Sequence, residues 1–193
     1  MMTSDDIRAV QRLLGALGHP VAVDGMWGTA SRLALSEAHK SATGQVPIFA
    51  AQPKATRPIS ELIFHCSATP ERREVSVETI TAWHKARGFA TIGYHYVVHL
   101  DGEVEAGRSE ATIGAHVLGH NVGTLGVVYV GGTDADGKAK DTRTAAQKVA
   151  LIAVRDALMV KYPTIKKVSG HNQYAAKACP SFYVPDDPLG EIA

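Results

Sequence analysis

A chain of 193 residues, 45% of them apolar, can bury one good core or a small domain beside a medium one. Twenty Lys and Arg against nineteen Asp and Glu leave a formal charge of +1, which removes any global electrostatic reason to expect nucleic acid or stable membrane association. Two cysteines are too few for a disulfide framework, no apolar run approaches a bilayer span, and residues 1–6 lack the charged lead and apolar core of an export signal; folding in a cytoplasm with both thiols reduced is expected.

The first 41 residues read as helical and self-contained. Ser4 or Asp5 can cap a helix whose apolar positions Ile7, Val10, Leu14 and Leu17 recur at spacings of three and four, with Gly18 as its stop. Asp24-Gly25 is a turn pair, Gly28 follows, and a second helix runs through Leu33 and Leu35. Between them and the next ordered pattern, Thr43-Gly44, Pro47, Pro53 and Pro58 lie among small residues. The division expected is a helical domain over 3–41, a fairly extended linker over 42–57 and a second domain over 58–193.

From residue 58 the pattern is α/β. Residues 62–66 form a nearly continuous apolar run suited to a buried central strand, and alternation puts His65 on the face opposite Phe64 and Cys66. Ser76 can cap a helix through Val77, Ile80 and Trp83 that Gly88 ends; Trp83 is expected in the core and His84 on the surface. Residues 94–100 alternate, Asp101-Gly102 turns and Val104 continues, a hairpin in which Tyr94, Tyr96 and Val98 share one face and His95 and His99 take the other as structural or exposed residues. Another buried strand follows over 125–130. Thr144 and Gln147 match a capping box ahead of a helix carrying Leu151, Val154 and Leu158, and a last strand over 167–170 delivers His171. Strands alternating with helices imply a sheet with helices on its faces.

The segment from His171 to Phe182 carries the chemistry. His171 and Cys179 are donor types that zinc prefers, and Lys177 between them can place a charge beside a metal without ligating it. The best third donor is His65, and three protein ligands leave one position open, which separates a catalytic zinc from a structural one. In a chain with nine histidines, spacing alone does not decide the matter. Parity argues against Cys66 as a fourth ligand that would make the metal a structural staple; His84 stays open for that part.

Phe64-His65-Cys66-Ser67-Ala68-Thr69, Trp83-His84-Lys85, Gly93-Tyr94-His95-Tyr96, residues 101–108 and Lys177-Ala178-Cys179-Pro180-Ser181-Phe182 resemble, in this order, the zinc amidases of the phage lysozyme type. These are N-acetylmuramoyl-L-alanine amidases, related to the peptidoglycan recognition proteins. The resemblance implies a central mixed β-sheet flanked by helices, zinc held by His65, His171 and Cys179, and catalytic parts for Tyr94 and Lys177, with the question of which handles the proton left open. It places His116 and Asn121 in a loop flanking the substrate groove. The opposing reading is a non-catalytic recognition module that grips muropeptide in the same groove; such members commonly lack the cysteine, which is present here as Cys179. The N-terminal segment resembles a small all-α peptidoglycan-binding domain, which would make Asp24, Gly25, Trp27 and Gly28 wall-binding residues, although Ser31 stands where Thr is usual and Ala38-His39 replaces an aromatic-Gln pair. The absence of an export signal, together with a wall-binding module ahead of the amidase, resembles a modular phage endolysin, expected as a monomer, that waits in the host cytoplasm until lysis and then acts on bacterial peptidoglycan; a bacterial wall-recycling or autolytic enzyme is the alternative.

Overall fold

The computed structural model describes residues 3–16, 19–28, 30, 31, 34 and 52–192. The helix stop at Gly18, the second helix through Leu33 and Leu35, the Ala38-His39 pair, and Thr43-Gly44 with Pro47 lie outside them.

Helix α1 (Ser4–Ala16) begins at Ser4, so that residue sits inside the helix, and its hydroxyl donates to the Gly25 carbonyl at 3.3 Å. Ile7 and Leu14 are buried as their spacing demands, and Gln11 lies on the same stripe. A buried amide must be satisfied, and this one is. Gln11 Nε2 donates to Asp24 Oδ1, the Met26 carbonyl and Ser31 Oγ, while its Oε1 accepts the Gly25 N–H at 3.0 Å.

Five strands, β1 (Glu61–Cys66), β3 (Tyr96–Val98), β4 (Val104–Ala106), β5 (Thr124–Tyr129) and β7 (Lys167–Gly170), form a sheet ordered β4-β3-β5-β1-β7, with β1 parallel to both β5 and β7. Strand β3 is parallel to β5 and antiparallel to β4, so the sheet is mixed; β2 (Thr69–Pro70) and β6 (Gly132–Thr133) form a separate parallel pair. Strands covered on both faces read as unbroken apolar runs, which is why β1 and β5 are central. On one face Leu62, Phe64, Val127, Tyr129, Tyr96 and Val98 pack on Leu151, Val154 and Leu158 of α3 (Ala145–Lys161). On the other, Val97, Val128 and Val130 meet Val77 and Ile80 of α2 (Val77–Ala86). Each such fully buried side chain contributes about 1.5–3 kcal/mol.

The expected caps at Ser76 and Thr144 form, whereas Ser4 and Asp5 lie inside α1 instead of capping it. Ser76 Oγ accepts the Thr79 N–H, and Thr144 and Gln147 close a reciprocal capping box. Gln147 also donates Nε2–H to the Val98 and Val130 carbonyls, fastening the α3 start to the ends of β3 and β5.

Two further expectations are corrected. Trp83 is 39% exposed and His84 only 4%, because the stripe set by Val77 and Ile80 continues to residue 84 and leaves 83 at its edge. Tyr94 does not share a face with Tyr96 and Val98; it packs with the α2-side cluster while they pack on the α3 side. Regular alternation starts only at Tyr96, because Gly93 is drawn off the strand line. A Cβ there would lie 2.2 Å from the Ala115 carbonyl oxygen, and its N–H donates to His84 Nδ1 at 2.8 Å. His95 is fully buried with Nδ1 accepting the Gly126 N–H, and His99 is buried between Glu74 and Glu105, so both are structural.

Residues 52–57 pack on the sheet domain. The Ala55 N–H donates to Tyr162 Oη at 2.7 Å, Lys161 reaches the Gln52 carbonyl, and Arg57 donates to the carbonyl of Glu110. The Glu110 carboxylate, fully buried, takes hydrogen bonds from Tyr96 and Tyr162 and pairs with Lys161 at 2.8 Å. Among the described residues no helix is long and apolar enough to cross a membrane.

Candidate metal centre

Adjacent parallel strands bring two imidazoles together. The β1–β7 register pairs Phe64 with Gly170, so His65 and His171 are the next neighbours at the strands' carboxyl ends, where parallel sheets place their ligands. Their ring centroids are 4.8 Å apart. Cys179 returns from the turn that follows β7, on a segment pinned from three sides. Tyr129 Oη donates to the Pro180 carbonyl at 2.7 Å, Asn172 Nδ2 donates to the Phe182 carbonyl, and the Arg143 guanidinium stacks 3.4 Å from the Phe182 ring centroid. Arg143 is itself buried and held by Asp141 and Asp187.

Donor atoms of His65, His171 and Cys179 all lie within 4.8 Å of one another, and His65 Nδ1 is 3.7 Å from Cys179 Sγ. Tetrahedral zinc with the usual bond lengths needs N···N of about 3.3 Å and N···S of about 3.5 Å. The two-nitrogen, one-sulfur set therefore fits zinc in chemistry and, after small side-chain adjustments, in size. Among the described residues these three form the whole group. His84 is committed to the Gly93 N–H and packs on Tyr94 and Phe89, and Cys66, whose thiol hydrogen-bonds that of Cys179 and lies 3.6 Å from Ser181 Oγ, falls outside the three-donor group. The structural-staple reading has no fourth ligand among them.

Burial, then the nearby His116, His171 and Lys177, holds the His65 pKa well below its ordinary value, and burial with Lys177 lowers that of His171. Both rings are neutral at pH 7, the form that binds metal. The hydrogen bond with Cys66, together with burial, pushes the Cys179 thiol upward; a divalent cation opposes this by taking the thiolate as a ligand. Cys66 donates its backbone N–H to that sulfur at 3.3 Å. The Tyr94 ring centroid is 5.0 Å from that of His65, and burial raises the phenol's pKa, so the hydroxyl keeps its proton. Lys177 is exposed, and its charge reaches both imidazoles.

Residues 55–182 match the family model described as N-acetylmuramoyl-L-alanine amidase. The chain belongs to that family. The endolysin of Klebsiella phage KP32 is 43% identical over 123 residues, covering 64% of this chain and 81% of the relative. That of Enterobacteria phage K11 is 42% identical over 123 residues, with the same coverage. Among solved structures, the N-acetylmuramoyl-L-alanine amidase LysC from Clostridium intestinale URNW superimposes with a TM-score of 0.60 at 26% identity, over 69% of this chain and 83% of that one. The activity is that of a peptidoglycan hydrolase, an N-acetylmuramoyl-L-alanine amidase. Residues 1–54 lie outside the matched span.

The amidase places the remaining sequence candidates as follows. His116 is buried, with Nδ1 3.1 Å from His65 Nε2, so it stands behind a candidate ligand. Asn121 Oδ1 accepts the N–H groups of His116 and Val117 and thereby shapes the loop that holds His116. In the N-terminal segment, Asp24 Oδ1 accepts the Met26 N–H at 2.8 Å, and Gly25 has φ of 77° with no room for a Cβ against Ser4. Trp27 is buried, and Gly28 is exposed. Three residues play parts at the site that their sequence positions did not foretell. His84, which props the backbone beside Tyr94, was hidden by the larger Trp83. Arg143 carries no local signature. Gly126, alone inside an apolar strand, is the one that left a signal, since such a glycine marks a close approach.

Proposed function

We propose that this amidase is a zinc-dependent endolysin that cleaves the amide joining N-acetylmuramic acid to the first L-alanine of the stem peptide. The observation that carries the proposal is the convergence of His65, His171 and Cys179 at the carboxyl ends of two adjacent parallel strands, as three ligands with no fourth among the described residues. When bound, a zinc ion there supplies Lewis acidity and a water that is nucleophilic near neutral pH. Lys177 stabilises the negative charge that develops on the carbonyl oxygen, and Tyr94 presents a protonated hydroxyl to the departing nitrogen, which cannot leave as an anion. His84 fixes the Gly93 backbone and so the approach of Tyr94. Presence of Cys179 favours hydrolysis over mere recognition. Mass spectrometry of digested peptidoglycan, with a metal assay alongside, is expected to show new free L-alanine amino termini, no new reducing sugar ends, and about one zinc per chain. New reducing ends would make the enzyme a glycosidase and end this reading.

The N-terminal helical segment is proposed to bind the wall, the part of the 42–57 stretch that precedes the docked residues 52–57 to tether it, and the enzyme to act from the host cytoplasm as a monomer once the membrane is opened. Support for wall binding is the ordered Asp24–Gly25 turn held by Gln11, which presents Met26 and Gly28 to solvent. Deleting residues 1–50, which spares the contacts of 52–57, is expected to weaken co-sedimentation with cell walls and leave hydrolysis of soluble muropeptides nearly intact. Unchanged sedimentation would remove the wall-binding role.

A further inference from the structure

The metal reading above sets a requirement that it does not itself explain: a histidine ligand must present a lone pair, and therefore one particular tautomer, to the metal. We infer that His116 and Thr124 are positioning residues that preset the tautomer of His65 through a one-directional hydrogen-bond relay ending on a backbone carbonyl. The inference rests on the metal reading and extends it to residues that touch neither metal nor substrate.

The direction follows from the last member. Thr124 Oγ1 is 2.8 Å from the His120 carbonyl oxygen and 3.2 Å from that of Asn121. Carbonyls only accept, so the single hydroxyl proton is committed to them and Oγ1 offers lone pairs to its other neighbour. That neighbour is His116 Nε2, at 3.4 Å, which must then carry the ring proton. The lone pair of His116 is left on Nδ1, 3.1 Å from His65 Nε2. Two ring nitrogens at that separation hold one proton between them, so it sits on His65 Nε2. The free lone pair of His65 is thereby on Nδ1, the atom that faces Cys179 Sγ at 3.7 Å within the three-donor group. The opposite tautomer would turn an N–H toward the metal position.

Burial protects the relay from competing water. His65 is 0% exposed, Thr124 4% and His116 8%. Space for the His116 ring is made by two glycines. A Cβ on Gly126 would lie 2.6 Å from that ring, and one on Gly114 2.5 Å. Glycine inside a central strand weakens it, and a buried ring seated over the backbone gives β5 a reason to carry one. His95 is already occupied by the Gly126 N–H and does not compete for His116.

The test reads the tautomer first, on metal-free protein labelled with ¹⁵N, by long-range proton–nitrogen correlation of the imidazoles. The wild type is expected to show His65 protonated on Nε2; protonation on Nδ1 overturns the relay, and this measurement needs no variant. Zinc affinity is then read by competition with a chromophoric chelator. Thr124→Val keeps the β-branched shape and removes the hydroxyl, and it is expected to bind zinc about 10- to 100-fold more weakly, as loss of a partner behind a ligand does elsewhere. His116→Leu should weaken binding similarly, while Thr124→Ser and His116→Asn, which keep an acceptor where one is needed, should recover most of it. Wild-type affinity in both Thr124→Val and His116→Leu overturns the relay and leaves the metal reading standing. Failure of the wild type to bind zinc overturns the metal reading, and the purpose of the relay with it.

Discussion

Replacing Cys179 by Ser is expected to strip zinc from the protein on dialysis and to lower amide hydrolysis by about three orders of magnitude or more, since loss of the Lewis acid removes several kcal/mol of transition-state stabilisation at about 1.4 kcal/mol per decade. The two side chains differ by one atom and share a shape, so the fold is not the issue. What changes is the donor. A thiol beside a divalent cation deprotonates outright, whereas a serine hydroxyl holds its proton at neutral pH and offers a weak neutral oxygen. The remaining imidazoles of His65 and His171 cannot compensate, because a two-ligand site on adjacent strands has lost its only anionic member. The supports of the segment, Tyr129 on Pro180 and Arg143 under Phe182, are untouched by the change. Zinc content after dialysis and near-ultraviolet circular dichroism should therefore separate, the first falling and the second unchanged. Full activity of the variant in metal-free buffer would defeat the metal mechanism altogether.

What could be read from residues alone divides along a physical line. Elements whose signal is local were readable: the β1 run, the caps at Ser76 and Thr144, and the parity that separates His65 from Cys66 all form as their patterns require. The sheet's core strands were readable too, since central parallel strands must be apolar throughout. Errors arose where tertiary packing overrode a local rule. Trp83 and His84 compete for one helical stripe, and hydrophobicity favours the wrong one, because the buried imidazole is satisfied by a backbone N–H nine residues away that no periodicity reveals. Tyr94 leaves the face of Tyr96 for a similar reason, the close approach of Gly93 to Ala115, and that departure is what carries it to His65. The three candidate donors were suggested as a set only by family motifs. Spacing between residues 65 and 171 says nothing about proximity until the β1–β7 register is known. Arg143 and Thr124 were not readable at all, since each acts through partners distant in the chain.

Lys177→Ala is expected to lower kcat by about two to three orders of magnitude, or about 3–4 kcal/mol, with KM little changed and zinc fully retained. The residue is exposed and ligates nothing, so its removal should not loosen the centre at neutral pH. Its charge is nevertheless felt at both imidazoles and at the thiol, which places it within electrostatic reach of any oxygen polarised there. A cation stabilises a developing oxyanion more than a neutral carbonyl, and that difference appears in kcat and not in substrate binding. The same charge carries a second, independent consequence. Lys177 lowers the pKa values of His65, His171 and Cys179, so its loss raises all three, and protons then compete with metal at higher pH. The acid limb of zinc retention should accordingly shift upward in pH in the variant, while retention above neutrality stays as in the wild type. Zinc loss at pH 8 would make Lys177 part of the metal site, and a raised KM with kcat intact would make it a substrate-binding residue.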